Sequence, residues 1–152
     1  MRVTFYFRSI FFILLVPVCW AEQINIQSRS AITPTTGVLL FHFGRTSRRF
    51  LDFPDRRLTI SENCGSKIEK MTCMAAQSLK LSTLHGTPPG KLASRNPGSV
   101  VCTEVLGARV VIGLDSHRNE NSFCLFKDES IIDNGSLTHY AKTNDLLHFK
   151  SK

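Results

Sequence analysis

Residues 96–126 read NPGSVVCTEVLGARVVIGLDSHRNENSFCLF and carry the clearest local structure signals in the chain. Asn96 is a residue type that caps helices, and Pro97 fits the first helical turn, where no amide hydrogen is needed. Gly107 can adopt the left-handed conformation that ends a helix. The stretch therefore predicts a short helix between Asn96 and Gly107.

Three short strands are predicted after this helix, at residues 108–114, 122–126 and 128–133. A short helix on such a meander buries little apolar area, and about 25 cal/mol per Å² barely offsets the entropy of ordering about 45 residues. Cys102 lies on the helix and Cys124 on the strand beneath it, so we expect a disulfide between them. Closing a loop of about 20 residues stabilises the unit by about 3 kcal/mol.

The N-terminus predicts export. Residues 1–21 read MRVTFYFRSIFFILLVPVCWA, which is the layout of a secretory signal peptide with cleavage after Ala21. Its apolar run is shorter than the roughly 20 residues that a membrane helix needs. A lipid-modified Cys19 is the alternative, disfavoured because Val18 is bulky where lipoprotein processing needs a small residue. The mature protein is expected to be exported, either periplasmic or secreted.

Removal of residues 1–21 lowers the net charge from +7 to 7 − 2 = +5, because Arg2 and Arg8 are their only charged residues. The remaining 152 − 21 = 131 residues are enough for one modest domain, or for a small domain plus a second unit. Five cysteines become four. Four cysteines in an oxidising compartment favour two disulfides.

The second predicted disulfide joins Cys64 and Cys73, which remain once Cys102 and Cys124 have paired. It requires the intervening helix to begin after Cys64, because nine residues of one helix would place the two side chains on opposite faces. Crossed pairs, Cys73 with Cys102 or Cys64 with Cys124, are the alternative and would fuse the two halves of the chain. A four-thiolate zinc site is disfavoured because no C-x-x-C spacing occurs.

The region before this unit predicts a hairpin and one helix. Gly37–Phe43 (GVLLFHF) favours a buried strand, with His42 packed in the core, and a second strand follows and ends at Pro54. Ser66 and Glu69 have the spacing of a capping box at the start of a helix of about 14 residues.

The resulting fold class is α+β, a small disulfide-bonded helix on an antiparallel meander preceded by a β-hairpin and one helix. The domain organisation predicted from these patterns is a signal peptide (1–21), an N-terminal hairpin-plus-helix region of unknown type (22–92), the disulfide-bonded unit (93–142) and a polar tail (143–152).

Positive charge is concentrated in residues 44–57, GRTSRRFLDFPDRR. Basic residues interleaved with Phe50 and Phe53 could contact an anionic membrane surface. The other interpretation, which we favour, is a solvated hairpin face whose aromatic rings point into the core. Nucleic acid is not an expected partner of an exported protein. The candidate contact residues are Arg45, Arg48, Arg49, Arg56 and Arg57.

The C-terminal unit resembles the DUF333 family of short exported bacterial domains, which are often labelled haemolysins. The likeness spans Arg95–Tyr140, about a third of the chain. It departs from the family pattern at Gly107-Ala108, where the family has two glycines, and at Glu129, where it has glycine in an Asp-Gly-Ser turn. The family's further cysteine and tryptophan are replaced near Ile132 and Gly135. The residues that carry the resemblance are Asn96, Pro97, Ser99, Cys102, Gly107, Cys124, Phe126, Asp128 and Ser130.

The resemblance implies an envelope location and supplies no catalytic residues. No Gly-x-Ser-x-Gly, His-Glu-x-x-His or glycine-rich phosphate motif occurs in the sequence. Three histidines lie beside aspartates in the last third of the chain. Polar segments such as this one contain His–Asp pairs by chance, so we do not assign them a catalytic role. We therefore expect a non-enzymatic binding or structural module without a cofactor, whose partner is an unknown envelope or extracellular component. The alternative is a secreted, haemolysin-like factor that contacts anionic lipid through the arginine-rich hairpin. The histidines and aspartates in question are His117, His139, His148, Asp115, Asp133 and Asp145.

Overall fold

The computed structural model of the protein describes residues 36–150. The predicted signal peptide at 1–21, with its cleavage site and Cys19, lies outside the described residues. The same holds for residues 22–35 and for the last two residues of the predicted polar tail.

The described part of the chain contains six antiparallel strands that form a closed barrel in the order β1-β2-β3-β6-β5-β4. Two cross-strand pairs close it: Ile60 on β3 pairs with Ile132 on β6, and His42 on β1 pairs with Leu114 on β4. The strands are β1 (Gly37–Phe43), β2 (Thr46–Phe53), β3 (Leu58–Ser61), β4 (Arg109–Leu114), β5 (Glu120–Leu125) and β6 (Ile131–Asp133).

The expected combination of helices with an antiparallel sheet and two disulfides is confirmed, but the expected arrangement is corrected on one point. The hairpin and the meander are parts of one barrel and not separate layers. The reason is β3, a four-residue strand that the sequence analysis missed. It pairs with β2 on one side and β6 on the other, and so joins residues on both sides of the predicted boundary at residue 92.

Four helices accompany the barrel in the described residues. The helix predicted after Asn96 is confirmed as α3, which continues as one wide turn in which Leu106 N–H donates to the carbonyl of Val101. Gly107 ends it with φ +60°. The helices are α1 (Met74–Leu81), α2 (Pro89–Ser94), α3 (Pro97–Val100, wide turn Val101–Val105) and α4 (Asn134–Lys150).

Helix α1 begins later than predicted. The spacing of Ser66 and Glu69 indicated a start near residue 66, but the chain there forms only an isolated 3₁₀ turn, Ile68–Lys70, and α1 starts at Met74. The disulfide to Cys64 explains the delay, because Cys73 can reach it only if no continuous helix separates the two residues.

Helix α4 was not predicted. The segment called a polar tail, from residue 143, is its second half as far as Lys150. Its buried residues include two polar side chains, so the helix has no continuous apolar stripe to reveal it. These buried residues are Asn134, Ser136, Leu137 and Ala141.

The two faces of the barrel wall have different cores. Because neighbouring strand residues point to opposite faces, pairs such as Phe123 and Cys124 belong to different clusters. The inner cluster contains only strand residues: Phe41, Phe50, Phe123 and Ile131, with Phe43, Val111 and Leu125 beside them. The outer cluster lies under the helices and combines strand residues such as Leu58, Ile60 and Ile132 with Ala75, Leu79, Cys102 and Leu137.

Both predicted disulfides are present, and they connect elements of the outer cluster. Cys64 bonds to Cys73 with a Cα–Cα distance of 5.2 Å, and Cys102 bonds to Cys124 at 5.6 Å. The crossed pairings and the four-thiolate zinc site are therefore wrong for this structure.

Candidate functional site

The five candidate arginines are spread along the hairpin. Arg45 lies in the β1–β2 turn, whereas Arg56 and Arg57 lie in the turn between β2 and β3. Strand β2 has eight residues and spans about 26 Å, so these turns are at opposite ends of it. The five guanidinium groups are therefore spread over the whole length of the hairpin.

The two central arginines are already paired. Arg48 donates from Nη2 to the carboxylate of Glu129 at 2.7 Å and from Nη1 to the carbonyl of the same residue at 3.0 Å. Arg49 lies 3.4 Å from the carboxylate of Glu62. Phe50 follows Arg49 on β2 and is fully buried. Its burial agrees with the interpretation of the hairpin as a solvated face whose aromatic rings point into the core.

The histidine predicted in the core is on the surface. His42 is exposed, and its Nδ1 lies 2.8 Å from the hydroxyl of Ser47 on the paired strand. The prediction failed because GVLLFHF was taken as a strand buried on both faces. Only Phe41 of this strand is buried, with Phe43 packed beside it on the inner face.

The three aspartates that neighbour histidines in the sequence hold backbone turns. Asp115 accepts from the N–H groups of His117 and Asn119, and the side-chain amide and N–H of Asn119 hold the pKa of its carboxyl below the usual range. Asp145 accepts from the N–H of Leu84 and from the Thr83 hydroxyl. Asp133 accepts from Ser136 N–H at 2.8 Å and caps α4.

A cleft of about 430 Å³ lies between Asp52 and Asp133 at the start of α4. Burial raises the pKa of Asp133 above its ordinary value, the Asp52 charge adds to this, and hydrogen bonds from Ser136 and the backbone of Gly135 oppose it. Asp52 accepts from the Thr59 hydroxyl at 2.8 Å. A carboxyl with a perturbed pKa next to a second acidic group can mark a catalytic site, but here Asp133 and Asp52 are each used by a local structural hydrogen bond.

The predicted family motif includes two residues at the β5–β6 turn that cap a distant helix. The carboxylate of Asp128 accepts from Met74 N–H at 2.7 Å, and the hydroxyl of Ser130 accepts from Ala75 N–H at 3.0 Å. Burial raises the pKa of Asp128, but the hydrogen bonds from Met74 and Ser130 outweigh it, so the pKa lies below its ordinary value. These two side chains therefore complete the N-terminus of α1 across 54 residues of sequence.

The beginning of the motif packs against α4. Asn96 caps α3 by accepting from Gly98 N–H at 2.9 Å, and the amide of Asn134 donates to the Ser99 hydroxyl at 2.9 Å. A Cβ at residue 98 would collide with the carbonyl of Asn134. The Oδ1 atom of Asn134 is buried without a hydrogen-bond partner. Sequence patterns did not single out Gly98 or Asn134.

One surface is both open and apolar. Residues 37–41 of β1 pair with β2 on one edge, while the second edge of β1 has its single described strand pair at His42 and Leu114. Val38, Leu39 and Leu40 are exposed on this strand. We call this surface the β1 edge; the apolar run that forms it was visible in the sequence but was assigned to the interior.

No family model, curated protein or solved structure matches the chain. The likeness to the DUF333 family therefore stays a prediction. Among residues 36–150, no helix has the length and apolar character that crossing a membrane requires. Within the same range, no three His, Cys, Asp or Glu side chains are grouped as a metal site would need.

Proposed function

We propose that this protein is an exported bacterial binding module of the envelope, related to the DUF333 domains, and that it binds an extended segment of another protein along the β1 edge. The observation that carries the proposal is the apolar edge of β1 opposite β2, where residues 37–41 pair with no strand among residues 36–150. Small β proteins normally protect an exposed apolar edge of this kind, because such an edge can pair with another chain.

The edge has the chemistry of a strand acceptor. Backbone groups that have no strand partner within residues 36–150 can pair with an extended chain, and alternate side chains of that chain would meet the exposed groups of β1. Exposed edge strands are usually protected by charged residues or proline, and Gly37–Phe43 contains neither. An apolar, uncharged segment is the ligand that complements this surface.

A non-enzymatic role is supported by the tasks of the polar side chains. Asp115, Asp133 and Asp145 hold turns or a helix end. Asp128 and Ser130 cap α1. The residues that carry the family resemblance thus stabilise the fold, which fits a module that acts through its surface.

Export is supported by the signal-like N-terminus and by two disulfides, which persist in oxidising compartments. N-terminal sequencing of the mature protein should give Glu22 as the first residue. A mature protein that starts at a lipid-bearing Cys19 would contradict the proposed processing.

The binding role can be tested by site-specific photo-crosslinking in the producing cell. A photoreactive phenylalanine analogue at Leu40 should give adducts of one discrete mass with a protein of the envelope fraction. Adding Val38→Lys should abolish them, because a charge on the edge opposes apolar strand addition.

The matched control carries the same analogue at Thr103, which is exposed on the α3 side of the molecule. Equal adducts at Thr103 and Leu40, or none at Leu40 while the protein is folded and exported, would refute the β1 edge as the binding surface.

A further inference from the structure

Four strongly exposed apolar side chains lie at the C-terminal ends of α1 and α4. Leu81 is 66% exposed, Leu146 64%, Leu147 61% and Phe149 71%, which are the highest values among the large apolar residues described. The two helix ends are held together by Asn144, whose side-chain amide donates to the carbonyls of Leu79 and Ser82 at 2.8 Å each. The four side chains thus belong to one fixed part of the molecule.

The charged side chains of these two helices are mostly positive. Helices α1 and α4 contain three lysines, Lys80, Lys142 and Lys150, against one acid, Asp145. Asp145 is used by the Thr83 hydroxyl and the Leu84 N–H. On α4, Lys142 and Lys150 lie one turn before and one turn after Leu146, so they share its face of the helix.

An open cleft lies between the two helix ends. It has a volume of about 410 Å³ and is lined by Leu81, His85 and Phe149 among others, with the rings of His85 and Phe149 edge to face at 6.3 Å. Exposed apolar side chains with long basic side chains on the same helices can contact a membrane interface, because anionic lipids attract the basic groups.

We infer that this helical tip, formed by Leu81, Leu146, Leu147 and Phe149 with Lys80, Lys142 and Lys150, docks on an anionic lipid surface. The apolar side chains enter the boundary between headgroups and acyl chains, while the lysine ammonium groups remain at the level of the lipid phosphates. The site is distinct from the arginine-rich hairpin and from the β1 edge.

A lipid surface fits the tip better than a second copy of the chain. Four side chains are few for a stable protein interface, which takes about 20–30 residues on each side. Two copies would also bring the lysines of one tip against those of the other. A negatively charged surface that accepts both the charge and the apolar groups has neither problem.

The experiment is co-sedimentation of the full exported chain with vesicles of phosphatidylcholine, with and without phosphatidylglycerol. We expect binding to the vesicles that contain phosphatidylglycerol and at least fivefold weaker binding to phosphatidylcholine alone. Raising NaCl from about 50 mM to about 500 mM should weaken binding severalfold, because salt screens exposed charges.

Two sets of variants locate the contact. Leu146→Ser/Leu147→Ser/Phe149→Ser should lower the partition coefficient at least tenfold, and Lys142→Gln/Lys150→Gln should remove the preference for anionic vesicles. All five residues are exposed or at the end of α4, so circular dichroism should show that both variants remain folded.

The matched controls are Val38→Ser/Leu40→Ser, which removes exposed apolar groups from the β1 edge, and Arg48→Ser/Arg49→Ser, which removes charge from the hairpin. Neither should change vesicle binding. The inference is overturned if the wild-type chain does not bind anionic vesicles or if a control variant loses binding as strongly as the tip variants. It is also overturned if sedimentation reveals a dimer that the triple Ser variant abolishes. Crosslinking at Leu40 does not depend on the helical tip, so the proposed binding along the β1 edge is tested independently of the lipid contact.

Discussion

The two faces of the barrel wall are stabilised in different ways. On the inner face, the ring of Phe123 lies 4.8 to 5.3 Å from those of Phe41, Phe43 and Phe50, and no covalent bond is involved. On the outer face, short helices are attached by two disulfides and by caps that come from distant turns. Large aromatic rings can fill the small inner core without covalent links. Helices of four to eight residues bury too little apolar area to be held by packing alone, so disulfides and caps attach them.

The largest effect is expected on the inner face. Phe123→Ala removes a fully buried ring that contacts three others, and should lower the free energy of unfolding by about 3–5 kcal/mol. The control Phe149→Ala removes an exposed ring and should change it by less than about 0.5 kcal/mol. Urea unfolding measures both, and a loss below about 1 kcal/mol for Phe123→Ala would show that the aromatic cluster is not the main support of the barrel.

The next effect concerns the outer face. Cys102→Ala/Cys124→Ala opens a loop of 22 residues and should cost about 3.4 kcal/mol, compared with about 2.6 kcal/mol for Cys64→Ala/Cys73→Ala, whose loop has 9. In hydrogen exchange, each variant should lose protection in the helices before the strands. Earlier loss of protection in the strands would contradict the conclusion that the disulfides stabilise mainly the outer face.

The caps should respond to pH with opposite signs. The folded-state pKa of Asp128 is lowered, so its stabilising effect is complete above the unfolded value of about 3.9 and is lost as pH falls through the folded pKa. Asp128→Asn should therefore cost up to about 1 kcal/mol at pH 7, limited by the exposure of this residue, and almost nothing near pH 2.

The folded-state pKa of Asp133 is raised, so its protonated form stabilises the fold below the unfolded value of about 3.9, and this contribution is lost as pH rises through the folded pKa. Asn can keep the hydrogen bond from Ser136 N–H without the buried charge. Asp133→Asn should leave stability at pH 7 unchanged or higher, and equal destabilisation by both variants at pH 7 in thermal unfolding would contradict this assignment.

The smallest effect is expected at Glu129, which has φ +63° in the turn where the DUF333 family has glycine. Glu129→Gly relieves the left-handed strain but removes the exposed ion pair to Arg48, so the net change should be within about 0.5 kcal/mol. Glu129→Ala removes the pair and keeps the strain, and should be about 1 kcal/mol less stable than Glu129→Gly. Equal midpoints in urea for the two variants would argue against strain at this position.

Local sequence signals predicted the elements whose determinants are neighbours in the chain. Strand β1 was predicted with its observed bounds, and α3 was predicted with its cap at Asn96 and its end at Gly107. Both disulfides were predicted, since the first required only a helix beside a strand.

Features determined by distant residues were missed. The start of α1 depends on Asp128 and Ser130, which lie more than 50 residues away. Helix α4 buries Asn134 and Ser136, polar residues that carry no apolar periodicity. The exposure of β1 depends on where β4 ends. The sequence GVLLFHF contains no information about the end of β4. The helical tip was missed because most of it lies on α4, a helix that the sequence analysis did not predict.

The closing pairs of the barrel have a consequence for the order of assembly. Ile60 pairs with Ile132 and His42 with Leu114, and each pair is separated by 72 residues (132 − 60 and 114 − 42). In a chain that crosses a membrane N-terminus first, as proposed here, β1 to β3 emerge as an open sheet and remain so until β4 and β6 follow. Contacts of such long sequence separation form slowly. The cysteines of each disulfide are only 9 and 22 residues apart, so oxidation can precede barrel closure. During that interval GVLLFHF is open to any strand-binding chaperone in the receiving compartment.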